Sequence, residues 1–287
     1  MKLFKKTTMI ILIPVAAMLI TWQVVNKNNK MLQIKPQNKY QVKEQNKVNS
    51  LPPKINKDVP GLTGGSESTT RSTVHNARSE RVLYCSSNRI LKQVALTFDD
   101  GPDVYYTPQI LDILKQNNVK ATFFIIGLRA QAHPEMVRRV ISEGHSIGNH
   151  TWDHPILSRL SPDRVKEEVQ KTEQLLYSIT GLNTAMFRAP YGSTTPQVIH
   201  EISSLGYNII DWSVDTRDWA KTPVPKIMDN VSKEVYPGGI ILQHCAGSKS
   251  EDLSNTVKAL PEIISLLRGK GYSFVMVQDL LDIPVSK

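Results

Sequence analysis

A chain of 287 residues, 40% of them hydrophobic, can build one large folded domain or two small ones. Its two cysteines, Cys85 and Cys245, exclude a disulfide framework and leave either one isolated bridge or, as the simpler expectation, two thiols. The net charge of +9 is unevenly placed: residues 1–80 carry 13 Lys/Arg against 4 Asp/Glu and residues 81–287 carry 22 of each, so charge gives a nucleic-acid surface on the folded part no support.

Residues 8–25 hold no charged side chain and follow Lys2, Lys5 and Lys6. A run of that length can span a bilayer, and the lysines ahead of it favour a cytoplasmic N-terminus. Residues 1–25 are therefore expected to form a single-pass membrane anchor that leaves the remaining chain outside the cytoplasm. The rival is a signal segment cut after Val15-Ala16-Ala17, which would give a secreted protein but leaves a very short apolar core broken by Pro14. Residues 26–85, rich in Asn, Gln, Lys, Ser and Thr, offer too little apolar surface to offset the entropy of ordering and are expected to be a basic, solvated linker. Such a linker could approach anionic lipid or an anionic polymer.

From residue 86 to residue 287 the pattern changes. Short apolar runs (VALTFDD, KATFFIIG, HSIGNH, TAMFRAP, NIIDWSVD, GGIILQH, YSFVMV) alternate with segments of helical period, and most of the runs are apolar on both faces, as parallel strands are. Three helices are expected to open on Thr107-Pro108, Ser161-Pro162 and Thr195-Pro196, an N-cap followed by the proline favoured at the first helical position; the latter two close on Gly181 and Gly206. The expected fold is α/β, an irregular (β/α) barrel of about seven parallel strands. A doubly wound open sheet has the same periodicity and stays open as an alternative.

The polar residues gather at the C-terminal ends of these runs. Asp99 and Asp100 would face opposite sides of a continued strand; Gly101-Pro102 is expected to stop the pleat and let both carboxylates turn to one space. In HTWDH, His150 and His154 stand four apart, which on a helical turn places both imidazoles on one side, as a metal site needs. Arg188 and Tyr191 follow the fourth run, Asp215, Asp218 and Trp219 the fifth, and Leu242 and His244 end the sixth. Each has an ordinary structural explanation alone, but barrel enzymes assemble their sites on this rim and five clusters coincide there.

TFDDGP, HTWDH, RAPY, DTRDW and LQH, in this order, resemble the five motifs of the NodB-homology polysaccharide deacetylases, carbohydrate esterase family 4. The resemblance spans roughly residues 92–283. It implies a hydrolase with a zinc ion, or cobalt or another divalent metal in its place, held by Asp100, His150 and His154. Asp99 would be the base, Arg188 would hold it, His244 would be the general acid and Asp218 would orient it. The Tyr191 backbone N–H would face the oxyanion, with Trp219 and Leu242 lining an acetyl pocket. The implied partner is an acetylated polysaccharide, peptidoglycan or chito-oligosaccharide, with O-acetyl esterase activity on xylan or a silent wall-binding role as alternatives. Two positions depart from the pattern: Ala189 stands where many members have proline, and Cys245 where many have an acid. His75, His133, His145 and His200 match no motif position.

Overall fold

The computed structural model describes residues 83–87, 91–247 and 252–287; the expected anchor and nearly all of the expected linker lie outside the described residues. In chain order the elements are β1 (Leu83–Tyr84), β2 (Gln93–Gly101), α1 (Tyr106–Gln116), β3 (Thr122–Ile125), α2 (Gly127–Ala132), α3 (Pro134–Ser142), β4 (Ser146–Asn149), α4 (Pro162–Thr180), β5 (Met186–Phe187), α5 (Pro196–Ser204), β6 (Asn208–Ile210), β7 (Val214–Asp215), α6 (Val224–Glu234), β8 (Gly239–His244), α7 (Ser254–Gly269), β9 (Ser273–Phe274) and α8 (Val277–Leu281). Among the described residues these strands form one sheet in the order β1-β6-β5-β4-β3-β2-β8-β7, with β9 beside β2, and every ladder between them is parallel.

That order decides between the two architectures the periodicity left open. β6 and β7 lie six strand positions apart, which in a flat sheet is about 29 Å at ~4.8 Å per strand. From Ile210 to Val214 there are four Cα steps, a reach of at most about 15 Å. The sheet must therefore curl until its two edges approach. They do: Ser86 bridges Gly239, and the Ser87 N–H donates to the Gly238 carbonyl at 2.9 Å, tying the segment after β1 to the start of β8. The result is a curled, irregular barrel. Among the described residues nine strands replace the expected seven, because residues 208–215 divide into two strands on opposite sides of the sheet, β6 next to one edge and β7 at the other, and Leu83–Tyr84, at the end of the expected linker, adds the edge strand beside β6.

Period-two alternation sorts the strand residues. Val94, Leu96 and Phe98 of β2 face outward and pack with Ile110, Leu114 and Ile263 from the helices, whereas Ala95 faces inward with Phe124, Met186, Ile210 and Ile240. Burial of each large side chain contributes about 1.5–3 kcal/mol relative to exposure. Gly148 keeps the interior passable, since a Cβ there would sit 2.6 Å from the Phe124 ring and 3.1 Å from the Met186 carbonyl. The N-terminal end of the barrel is plugged by α8: Val277 and Leu280 join the interior cluster, and the Val277 N–H donates to Thr122 Oγ1 at 3.1 Å.

The helix boundaries follow the expected chemistry with one exception. Ser161 and Thr195 accept from the N–H groups of Arg164 and Val198, and Gly181 takes the left-handed conformation that ends α4. Thr107 is not the cap of its helix. Asp103 Oδ1 accepts from the N–H groups of Tyr105, Tyr106 and Thr107, so α1 starts earlier, and the Thr107 hydroxyl bonds the Cys245 carbonyl instead. Cys85 is exposed and Cys245 buried, and no disulfide joins them.

Candidate active site

The inward set of β2, Ala95-Thr97-Asp99, runs beside the inward set of β8, Ile240-Leu242-His244, with Thr97 in register with Leu242 and Asp99 with His244. Arg188, two residues beyond inward-facing Met186, enters the same interior and is 1% exposed. Its guanidinium donates to Asp99 Oδ1 (2.7 Å), Thr97 Oγ1 (2.8 Å) and the carbonyls of Ile210 and Asp211 (3.0 Å each), over the Phe124 ring at 4.1 Å. A buried charge so fully paired is locked in place, and Asp99 is locked with it.

Asp100 reaches the same space by a different route from the one expected. β2 continues through both acids to Gly101; the register shifts between Phe98 and Gly101, and Asp100 itself is left-handed at φ 71°. The turn of the second carboxylate is thus made by a bulge at Asp100, ahead of the Gly-Pro break, in a conformation that aspartate tolerates better than most side chains.

HTWDH is likewise no helical turn. It is a loop after β4 in which Thr151 and His154 both have positive φ, of 68° and 64°, and this brings the two imidazoles to a centroid distance of 5.0 Å. Buried Glu168 of α4 holds the loop by accepting from the N–H groups of Trp152 (2.9 Å) and Asp153 (3.2 Å), and the Thr151 hydroxyl accepts from the His154 N–H.

Asp100 Oδ1 lies 3.4 Å from His150 Nε2 and 3.2 Å from His154 Nε2, and the three candidate ligand atoms lie within 4.8 Å of one another. His150 Nδ1 must donate to the Arg188 carbonyl at 2.7 Å, since a carbonyl only accepts, and this turns Nε2 to Asp100. Burial, reinforced by the neighbouring His150, lowers the His154 pKa to about 4 and keeps that ring neutral. Burial alone would raise Asp100; the contact with His150 and the proximity of His244 and His154 outweigh it and hold the carboxyl far below its ordinary range. Asp100 Oδ1 is nevertheless buried without a hydrogen-bond donor. One orphaned carboxylate oxygen converging with two imidazole nitrogens is a costly arrangement by itself and a fitting one around a divalent cation.

Across the cavity, Asp218 is 1% exposed and spends both oxygens: Oδ1 accepts from His244 Nδ1 (2.8 Å) and the Trp219 N–H (2.9 Å), Oδ2 from the His244 N–H and the Thr256 hydroxyl (2.8 Å each). Burial works against the His244 charge, but Asp218, with Asp100 and Asp99, raises its pKa to about 10; His244 in turn helps lower Asp218 against its own burial. His244 is therefore an imidazolium at neutral pH, with its Nε2 left to donate.

The groups line one cavity of about 840 Å³, with buried Leu242 in its wall and Tyr191 and Trp219, 68% and 51% exposed, also lining it. Asp99, Asp100, His150, His154, Tyr191, Trp219, Leu242 and His244 all border it; Arg188 and Asp218 stand behind it, each one hydrogen bond from a bordering residue. Asp215 also borders it, and Ala189 occupies its wall. Buried Cys245 is not among the lining residues. His145 is a core histidine whose Nδ1 accepts the Ala121 N–H; burial, with Lys120 adding to it, lowers its pKa to about 4. The sequence reading passed over Thr97, Trp212, Glu168 and Arg129. Trp212 was legible as a bulky residue between Ile210 and Val214, where the strand it was assigned to divides; the others carry no local signal.

The sequence matches the polysaccharide deacetylase family over residues 87–210. It is 41% identical to a peptidoglycan-N-acetylglucosamine deacetylase of Bacillus cereus over 202 residues, 70% of this chain and 73% of that protein. It is 40% identical to a chitooligosaccharide deacetylase of Bradyrhizobium over 193 residues, 63% of this chain and 87% of that one. A crystal structure of a peptidoglycan N-acetylglucosamine deacetylase in complex with a naphthalenyl-N-oxidanyl-benzamide superimposes with a TM-score of 0.70 at 38% identity, covering 73% of this chain and 97% of that one. Identity of this order over most of a relative's length, on the same curled parallel sheet, places the chain in the polysaccharide deacetylase family.

Proposed function

We propose that the protein hydrolyses the N-acetyl group of N-acetylglucosamine units in peptidoglycan, releasing acetate, and that chito-oligosaccharides are accepted too. The observation that carries this reading is a single cavity in which a base fixed by Arg188 and an acid fixed by Asp218 flank a cation-binding triangle. A zinc ion, or another divalent metal, held by Asp100, His150 and His154 supplies the Lewis acidity that makes a water nucleophilic and polarises an acetyl carbonyl.

The chain's own residues do the rest. Arg188 occupies Asp99 Oδ1 and leaves Oδ2, 3.8 Å from His150 Nε2, turned to the triangle, where it takes the proton of the attacking water. The Tyr191 N–H meets the oxygen on which negative charge grows, and Trp219 and Leu242 shelter the acetyl methyl. As the carbon–nitrogen bond breaks, His244 Nε2 gives its proton to the departing amine; the Asp218 bond to Nδ1 keeps the ring aimed. The products are acetate and a free amino sugar.

Residues 1–25 serve in this proposal as a membrane anchor and residues 26–82, up to the start of β1, as the linker that keeps the catalytic domain at the wall. The chemistry is tested by mass spectrometry of defined N-acetylated and O-acetylated oligosaccharides incubated with zinc-loaded protein. Chelation should abolish acetate release and zinc or cobalt restore it. Faster release from acetylated xylan than from either amide substrate would favour an esterase, and release from none a silent wall protein.

A further inference from the structure

The cavity carries one fixed cation that the proposed reaction leaves unused. Arg129, in α2, borders the cavity and is half-buried. Its Nη2 donates to the Gly247 carbonyl just beyond β8 at 2.9 Å, which fixes the guanidinium against the rim. Among the described residues no carboxylate pairs with it, although Arg139, Arg164 and Arg188 each meet an acid. Arg188 neutralises Asp99 behind the cavity wall, and among the described residues Arg129 is the arginine that lines the cavity. A guanidinium held by one edge, with its remaining N–H groups uncommitted to any acid among the described residues, suits a planar anion.

We propose that Arg129 reads a carboxylate on the glycan beside the acetylated sugar, so that a carboxylate-bearing glycan is preferred to a neutral polymer of the same N-acetylated sugar. The inference rests on the deacetylase reading and adds selectivity to it. A pocket that recognises only the acetamide cannot tell peptidoglycan from chitin, because both present it. The muramic sugars of peptidoglycan differ by a lactyl group, whose carboxyl is a free carboxylate where no stem peptide is attached, and a charge-assisted, two-pronged hydrogen bond distinguishes that carboxylate where apolar contacts do not.

The test uses three substrates with the zinc-loaded protein: a peptide-free peptidoglycan tetrasaccharide with free lactyl carboxylates, the same tetrasaccharide with those carboxyls converted to amides, and chitotetraose. The readout is the ratio of kcat/KM for the acid over the amide. It should be about tenfold or more in the unaltered protein, about 1.4 kcal/mol, fall to near unity in Arg129→Gln, and stay intermediate in Arg129→Lys, which keeps the charge but loses the fork. Added salt should raise KM for the acid and leave the amide unaffected. A ratio near unity in the unaltered protein, or an equal ratio in Arg129→Gln, overturns the inference while leaving deacetylation standing. Absence of acetate from all three substrates overturns the deacetylase reading itself.

Discussion

Neighbouring carboxylates at the end of β2 have different surroundings, and different consequences follow from removing each. Asp99 is bonded to Arg188 while Asp100 Oδ1 has no donor at all. Asp99→Asn should therefore keep its zinc and lose turnover by about 10²-fold or more, the usual worth of a positioned base, whereas His150→Ala should lose metal affinity itself. Metal content by mass spectrometry beside acetate release separates the two; loss of zinc in Asp99→Asn would contradict the base role. The His244–Asp218 pair makes a second residue-scale prediction, in chelated protein so that Asp99 and Asp100 keep their full charge. Folding raises the His244 pKa, so its pairing contributes in full below its ordinary 6.5 and is lost as pH rises through about 10. Folding lowers Asp218, whose contribution is present above its ordinary 3.8 and is lost as pH falls through its folded value. The Tm gap between the unaltered protein and Asp218→Asn should be widest between about pH 4 and 6.5 and shrink towards pH 10. Asp215, whose own pKa burial raises, adds charge near the pair. A gap of equal size at every pH would mean that Asp218 serves only as a packing group.

At the scale of elements, the site depends on how a loop and a helix meet. The His150–His154 loop has two positive-φ residues and is fixed by Glu168, which projects from α4 to accept two of its N–H groups. Glu168→Ala would leave both donors unpaired at a cost of about 1–3 kcal/mol. Because the loop carries two of three cation ligands, metal affinity should fall about tenfold, within the range seen when the support of a ligand is removed, with the far-UV circular dichroism unchanged. Affinity equal to that of the unaltered protein, by competition with a zinc chelator, would show that the loop holds its shape without α4. The spacing of HTWDH brought the two imidazoles together but gave the wrong backbone, because a separation of four fits either a helical turn or a loop with left-handed residues, and side chains alone do not distinguish them. Runs that alternate or stay apolar over several residues, such as VALTF and GIILQ, were legible as strands; the two-residue strands β1, β5 and β7 are defined by their partners and have no period of their own.

For the whole molecule, the topological proposal concerns the residues before the fold. Among the described residues no helix is long and apolar enough to cross a membrane, and the expected anchor at residues 8–25 lies outside them. Protease added to wall-stripped cells should release a soluble, active fragment by cutting within residues 26–82, upstream of β1. A mature N-terminus near Met18 would instead establish signal cleavage, and a domain retained in intact protoplasts would place it in the cytoplasm.

By itself, the sequence determined the parallel α/β class and singled out ten residues that the structure gathers at or directly behind one cavity, since strand period, breakers and motif spacing are local and survive in one dimension. Tertiary structure alone decided that the sheet curls, because closure follows from β6 and β7 lying six strand positions apart in the sheet but only a few residues apart in the chain, a fact of strand order that no window of sequence contains. It also decided which groups stand behind the site. Thr97 and Glu168 act through partners 91 and 15 to 16 residues away, and Arg129 through one 118 residues away. Their roles are set by where the barrel closes; no pattern in their own neighbourhoods specifies them.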